Sequence, residues 1–228
     1  GDELVPAGQP RPAGAIWESN GTLLEALLQR LGYRVSQRLV VADDPVALRQ
    51  ALEALAVSAD VVVSTGGVSA GDSDWIRPLL AELGQVEFWK LFLKPGRPFA
   101  FGRLDGAVNG PLPFFGLPGN PVAAAVTALQ LLWPALQQLE GAEPQRLPRI
   151  QLPLARDLSR VAGRPELARG RLLVDASGGL SALVEGSQAS SRIASLQNAD
   201  LLLELPHDAD QLPAGCLLWA QLLRLPLL

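Results

Sequence analysis

The chain has no methionine, one cysteine and one histidine in 228 residues. A lone cysteine, Cys216, excludes an internal disulfide and any zinc site built on several thiolates. The histidine, His207, lies in Leu-Pro-His-Asp-Ala-Asp, which reads as a loop where an imidazole is solvated. With one residue of each kind there is no Ser-His or Cys-His machinery to build. Charge is sparse at 18% of residues, the net charge is −4, and no long basic run occurs. That argues against a nucleic-acid backbone as the main partner. No apolar run reaches the roughly 18 residues that a membrane span needs, so no membrane partner is expected. The missing methionine, with a start at Gly1-Asp2-Glu3-Leu4, points to a fragment or a processed product. What remains for chemistry is carboxylates, lysines, arginines, backbone amides and a metal held by oxygen ligands. At 48% hydrophobic, the chain has the makings of a real core and of one large or two small domains.

The stretch that organises the chain is Val61-Val62-Val63-Ser64-Thr65-Gly66-Gly67-Val68-Ser69-Ala70-Gly71-Asp72-Ser73-Asp74. Three valines read as a strand buried on both faces, as in a parallel sheet. The run stops at two glycines, which let the backbone turn sharply and approach a ligand without a Cβ in the way. Bare N–H groups in such a turn suit a phosphate. Thr65, Gly66, Gly67, Ser69 and Asp72 are therefore candidate ligand-binding residues. Asp72 and Asp74 follow the turn, where they could hold a metal or orient a leaving group. A Gly-Gly turn alone is more often an ordinary strand–turn–helix connection, so the weight falls on the rest of the chain.

Residues 1–14 are rich in glycine and proline and read as a loop. Ser19 or Asn20 can cap a helix whose apolar face is Leu23, Leu24, Leu27, Leu28 and Leu31, ended by Gly32. Tyr33–Val41 alternates and reads as a strand. Asp44 suits a helix cap before Pro45, and the helix is expected to run to about Val57, burying Val46, Leu52 and Leu55. Asp43 is then spare, at a strand's carboxyl end, where ligands bind in open α/β sheets. A helix over Trp75–Leu83 follows, then a strand Val86–Lys94 that would place Lys90 and Lys94 on one face. Two lysines on one face either reach for solvent or meet an anion. Phe99–Gly102 reads as the return strand. Phe114-Phe115-Gly116-Leu117-Pro118-Gly119-Asn120-Pro121 repeats the logic of the first turn, with Pro118, Gly119 and Asn120 as ligand candidates and a second anion site at the next helix start. Pro134 is expected to kink or break that helix. A boundary falls near Gly141–Pro148. Beyond it Leu172–Val174, Leu180–Val184, Leu201–Leu205 and Cys216–Leu223 look like short strands of a small all-β domain.

These motifs, taken in order, resemble the MoeA family of molybdopterin molybdenumtransferases, of which the gephyrin E domain is a eukaryotic relative. Asp2-Glu3-Leu4, Asp43-Asp44-Pro45, Ser64–Asp74, Phe88-Trp89-Lys90 to Lys94-Pro95-Gly96-Arg97-Pro98, and Gly116–Pro121 carry the likeness, which covers nearly the whole chain. The resemblance implies a three-layer α/β/α molybdopterin-binding (Mog-like) domain with a mostly parallel sheet over residues 1–145, its first strand truncated. A small barrel-like β domain over 146–228 would follow. It implies insertion of molybdate into adenylylated molybdopterin with release of AMP, assisted by Mg2+. Glu3, Asp43 and Asp74 become site carboxylates, with Asp43 and Asp74 as metal ligands, and Lys90 and Lys94 become site cations. Arg169 and Ser190 match functional positions of the smaller domain. Ala189 stands where the family usually has glycine. Implied partners are a second copy in a homodimer and a molybdopterin adenylyltransferase, in the cytoplasm. The family's two N-terminal domains are absent, and one of them completes the site from the partner subunit, so this chain alone is expected to bind ligand and to be slow or inactive. Two other readings are weighed. A molybdopterin adenylyltransferase shares the glycine turn, but residues 149–228 argue against it. A gephyrin-like scaffold would need an aromatic-rich peptide groove that the sequence does not show.

Overall fold

The computed structural model describes residues 2–68, 76–105, 110–184 and 186–224, and every count or absence below refers to those residues. They form two compact units, Gly1–Leu91 with Gly96–Ala128, and Phe92–Pro95 with Leu129–Leu228.

The first unit opens with two short parallel strands, β1 (Leu4–Val5) and β2 (Ile16–Trp17). Helix α1 (Asn20–Arg30) follows. Ser19 occupies its N-cap without a side-chain bond, and Glu18 Oε1 accepts from Gly21 N at 2.6 Å instead. Tyr33–Val41, expected as a strand, joins no ladder among the described residues. Alternation shows which face a strand would bury, but a strand exists only when a neighbour accepts its backbone bonds. Helix α2 (Pro45–Ser58) starts as expected, with Asp44 Oδ1 accepting from Ala47 N at 2.7 Å. Its core face is Leu48, Leu52, Leu55 and Ala56. Val46, expected to be buried, is 61% exposed. It stands two residues from Leu48, about 200° round the helix.

Strand β3 (Val62–Thr65), helix α3 (Ile76–Leu83), strands β4 (Gly84–Lys90), β5 (Pro98–Leu104) and β6 (Leu112–Leu117), and helix α4 (Pro121–Thr127) complete the unit. The strands lie in the order β3-β6-β5-β4. The class is the α/β one expected, but the sheet is mixed where a mostly parallel one was expected. β3 and β6 pair in parallel, whereas β4, β5 and β6 pair antiparallel. Short connections between β4, β5 and β6 allow only antiparallel neighbours. Strand β4 ends four residues before the expected Lys94, because Leu91 N donates to Arg97 O at 2.7 Å and turns the chain. Lys90 and Lys94 therefore do not share a strand face.

Phe114 and Phe115 alternate across β6. Phe114 is fully buried in a cluster with Leu52 of α2, Ile76, Leu79 and Leu80 of α3, and Val62. Phe115 packs on Phe101, ring centroids 4.8 Å apart. Helix α4 is absent from that cluster; it packs on β6, with α1 against it. Helices thus cover both faces of the sheet, a three-layer arrangement.

Pro134 does not break the helical run, which extends over Pro121–Leu139. A π-helical stretch, Ala128–Leu132, precedes it, and the proline sits in the first turn of α5 (Trp133–Leu139). The wider turn leaves room for a residue that has no N–H to donate. This run is the one described helix long and apolar enough to cross a membrane, yet Val122–Thr127 are all buried in protein, as in a core helix.

The second unit is built from β7 (Arg149–Pro153), β8 (Leu158–Ser159), β9 (Glu166–Val174), β10 (Leu180–Val184), α6 (Ala194–Gln197), β11 (Leu201–Leu205), β12 (Gln211–Leu212) and β13 (Leu217–Leu222). Five of the strands form an antiparallel sheet in the order β10-β9-β11-β13-β7. A bridge between Leu154 and Ala182 joins its two ends, with Ala155 N donating to Ala182 O at 2.8 Å. The sheet therefore curls toward a barrel around Leu152, Ala168, Ala182, Leu201, Leu203 and Ala220.

Two outcomes test this packing. A Cβ at Gly116 would lie 2.4 Å from Val68 Cγ1 and 2.9 Å from Ala100 Cβ. Gly116→Ala is expected to lower stability by about 1–3 kcal/mol in urea unfolding, the cost of overpacking a core. In the β9–β10 turn, Asp175 Oδ1 accepts from Ser177 N, Gly179 N and Ser177 Oγ, which holds its carboxyl below the usual carboxylate value. A depressed carboxylate contributes stability that is present above its unfolded-state value and lost as pH falls through its folded one. Proton titration by NMR is expected to find Asp175 protonating below the usual aspartate value, and Asp175→Ala is expected to shrink the acid-dependent part of the unfolding free energy.

Candidate functional site

Strand β3 ends at an exposed Thr65. The chain then takes positive φ at two successive positions, 81° at Gly66 and 68° at Gly67, a conformation costly for any residue with a Cβ. Gly66 N donates to Leu117 O at 3.1 Å, so the first elbow is tied to the last residue of β6. There the second elbow begins, with Pro118 buried and Gly119 and Asn120 exposed. A Cβ on Gly119 would lie 3.5 Å from Gly66 Cα. The two glycine turns therefore lie against each other at the carboxyl ends of two parallel neighbouring strands. Asn120 holds the N-cap position of α4 without a side-chain capping bond, and Pro121 takes the first helical position.

Asn20 was missed as a site element, having been read only as a helix cap. It is 8% exposed and its Nδ2 donates to Gly119 O at 2.7 Å, 99 residues away. Its Oδ1 is buried with no partner, as is Ser64 Oγ on β3. Buried polar oxygens usually have a donor, and each such gap calls for an explanation. The signal in the sequence was faint: an asparagine that follows an available serine cap.

The acids are disposed as follows. Asp44 caps α2, which leaves Asp43 for other use. Asp43 and Asp2 hold each other: Asp2 N donates to Asp43 Oδ2 at 3.4 Å and Asp43 N donates to Asp2 Oδ1 at 3.3 Å. Both are exposed, and Glu3 beside them is exposed too. Asp2 thus joins the acids as the partner of Asp43. Ser69, Asp72 and Asp74 lie outside the described residues. Among the described residues no cluster of three or more His, Cys, Asp or Glu is arranged to hold a metal.

The cations divide. Lys90 is exposed at the end of β4, in the first unit. Lys94 belongs to the second unit, where its ammonium is 3.0 Å from Glu166 Oε1. In the same unit Arg169 lies on β9, 3% exposed. Its backbone exchanges two bonds with the Gln188 side chain, N to Oε1 at 2.9 Å and Nε2 to O at 3.1 Å. Its guanidinium donates to Ser195 Oγ, Ser187 O and Ala189 O. The 187–189 loop thus wraps Arg169, and Ser190, half-buried, follows it directly. Burial pushes the Arg169 guanidinium below arginine's ordinary value, and the Glu166 carboxylate pushes it back. It remains charged, since arginine does not deprotonate in proteins. None of its hydrogen bonds goes to a carboxylate, and Nη1 is buried without a partner. A buried cation with an unused donor fits an anion.

Residues 1–138 match the family described as "Probable molybdopterin binding domain", and residues 151–221 match the "MoeA C-terminal region (domain IV)". A molybdopterin molybdenumtransferase of Haemophilus influenzae is 33% identical over 216 residues, 94% of this chain and 52% of that protein. The molybdenum cofactor synthesis protein cinnamon of Drosophila melanogaster is 34% identical over 230 residues, 98% of this chain and 37% of that protein. A crystal structure of the molybdopterin biosynthesis MoeA protein of Pyrococcus horikoshii superposes with a TM-score of 0.77 at 26% identity, covering 97% of this chain and 52% of that one. The chain spans about half the length, or less, of these relatives.

The Asn20 contact yields its own test. Asn20→Leu keeps the bulk but removes the amide that donates to the Gly119 carbonyl, a loss of about 0.5–1.5 kcal/mol. Urea unfolding should show that loss, and hydrogen exchange should show faster amide exchange across 116–121 than in the second unit.

Proposed function

From a chain that belongs to the MoeA family of molybdopterin molybdenumtransferases, we propose the family's own chemistry: molybdate is inserted into adenylylated molybdopterin and AMP is released. The observation that carries the reading is the pair of glycine elbows in contact at one sheet edge, 3.5 Å between Gly66 Cα and the position of a Gly119 Cβ. Backbone amides exposed there receive the phosphate of the pterin ligand. Thr65, Pro118 and Asn120 flank those amides, and Ser69 and Asp72, which follow the first elbow in sequence, join them as ligand-binding residues. Lys90 and Lys94 draw in molybdate, a dianion, and Arg169 with Ser190 serves a further anionic group.

A divalent cation suits the acids present. Asp43 and its neighbours Asp2 and Glu3 offer exposed carboxylate oxygens, the hard donors that Mg2+ takes one or two at a time beside its waters and a phosphate. Asp43 and Asp74 would hold it, and Glu3 stands by them in the set of acids. When bound, Mg2+ neutralises charge on the adenylate phosphate as AMP departs. The protein's own residues bind the phosphate in the elbows and hold the oxyanion beside lysine. The reading extends to a homodimer, contact with a molybdopterin adenylyltransferase, and a cytoplasmic place of action.

Gly119→Ala provides a clean test. Its new methyl meets only an ordinary contact at 3.5 Å, so stability should stay within about 0.5 kcal/mol of the parent. It should nonetheless block the close approach of a phosphate and weaken binding of adenylylated molybdopterin by about tenfold or more, measured by equilibrium dialysis. In an AMP-release assay with Mg2+ and molybdate, Asp43→Ala and Lys94→Ala should each cost roughly 100-fold. Unchanged ligand binding in Gly119→Ala, with AMP release unaltered in the other two, would refute the reading.

A further inference from the structure

Lys94 is held at more points than a surface lysine needs. Its N–H donates to Pro165 O at 2.9 Å, and its carbonyl accepts from Leu167 N at 2.8 Å. Arg164 Nη1 donates to the preceding carbonyl, Leu93 O, at 2.9 Å. The backbone of residues 93–94 is therefore strapped to the start of β9. The side chain is strapped as well. Its Nζ lies 3.0 Å from Glu166 Oε1 and 3.1 Å from Oε2, astride the carboxylate.

Glu166 is 3% exposed and has a second cation, with Arg160 Nε 3.3 Å from its Oε2. The Arg160 side chain is itself only 7% exposed and is fixed elsewhere: Nη1 donates to Pro206 O at 2.6 Å and Ala209 O at 3.0 Å, and Nη2 to Arg164 O at 3.1 Å. One carboxylate thus faces two cations, and the trio carries one positive charge in excess. Of the three side chains only Lys94 meets water to any extent, at 43% exposure. The surplus charge is presented to solvent on an ammonium that has lost its freedom before any ligand arrives. Pre-ordering a long side chain removes an entropic cost from binding. A buried pair serving stability alone has no reason to leave one partner nearly half in water.

We propose that Glu166 is a positioning residue for oxyanion capture: its buried carboxylate, anchored from behind by Arg160, fixes the Lys94 ammonium where a tetrahedral oxyanion meets it. This rests on the reading of Lys94 as a molybdate-binding cation given above. Neither Glu166 nor Arg160 was singled out by the sequence motifs. Chemistry assigns them a role distinct from that of a ligand contact. Both act through the lysine, and neither needs to touch the oxyanion.

Charge and position predict opposite signs, which makes the test decisive. Molybdate alone is titrated into the chain and into Glu166→Gln, Glu166→Asp and Lys94→Ala, with thermal melts run alongside. Glu166→Gln makes the trio more positive, so charge alone would tighten binding. Glu166→Asp keeps the charge and withdraws the carboxylate by one methylene, so charge alone would leave binding unchanged. Positioning predicts that both variants weaken molybdate binding by about tenfold or more, because a displacement on the order of 1 Å is enough for that. In the AMP-release assay the loss should fall on the KM for molybdate, with kcat little changed. Should Glu166→Gln melt below the assay temperature, Glu166→Asp decides alone. Binding by the Glu166 variants as tight as the parent's, or tighter, while Lys94→Ala loses it, overturns the positioning role and leaves the function standing. Equal binding by Lys94→Ala removes lysine from the oxyanion site and takes down the premise itself.

Discussion

The parallel pairing of β3 with β6 is the contact from which the first unit takes its order. It sets Thr65 opposite Leu117, so both strands end at the same level. Each then turns on glycine, and the bond from Gly66 N to Leu117 O closes the gap between the turns. The side chains above and below are chosen to let this happen. Gly116 has no Cβ because Val68, just past the first elbow, packs where one would stand. Phe114 and Phe115 fill the two faces of β6, so the strand cannot slide without exposing one ring or the other. A register fixed by packing thus fixes the geometry of both elbows.

Most of this order can be read from the amino-acid sequence, because it is local. Valines before two glycines make a strand and an elbow wherever they occur. Asp44 before Pro45 makes a helix start, and the structure has both. Reading fails where a second segment decides. Tyr33–Val41 alternates as a strand should, but among the described residues it joins no ladder. Lys90 and Lys94 have strand spacing, but a bond from Leu91 to Arg97 turns the chain between them. In β9 the polar run Arg169-Gly170-Arg171 hides a strand whose bonds are supplied by β10 and β11. Asn20 and Glu166 escape notice for the same reason. Their partners, Gly119 and Lys94, lie 99 and 72 residues away.

The second unit handles its charges in two ways. Glu166 gathers Lys94 and Arg160, and both of its oxygens are engaged. Arg169 sits deep on the same strand and is held by hydroxyl and carbonyl oxygens alone. Neutral acceptors can orient a guanidinium, but they cannot cancel its charge. Strand β9 therefore carries, three residues apart, an acid that is more than satisfied and a base that is less than satisfied. Alternation along the strand separates the two onto opposite faces.

The bridge from Leu154 to Ala182 bears on how this unit behaves among other molecules. An open five-stranded sheet would offer two rows of unpaired amides and carbonyls, and a passing chain could add itself to either one. Drawing β7 and β10 toward each other takes part of both rows out of reach. The curl that rounds off the core is, for the same reason, a guard against filament growth and misassembly in a crowded solution.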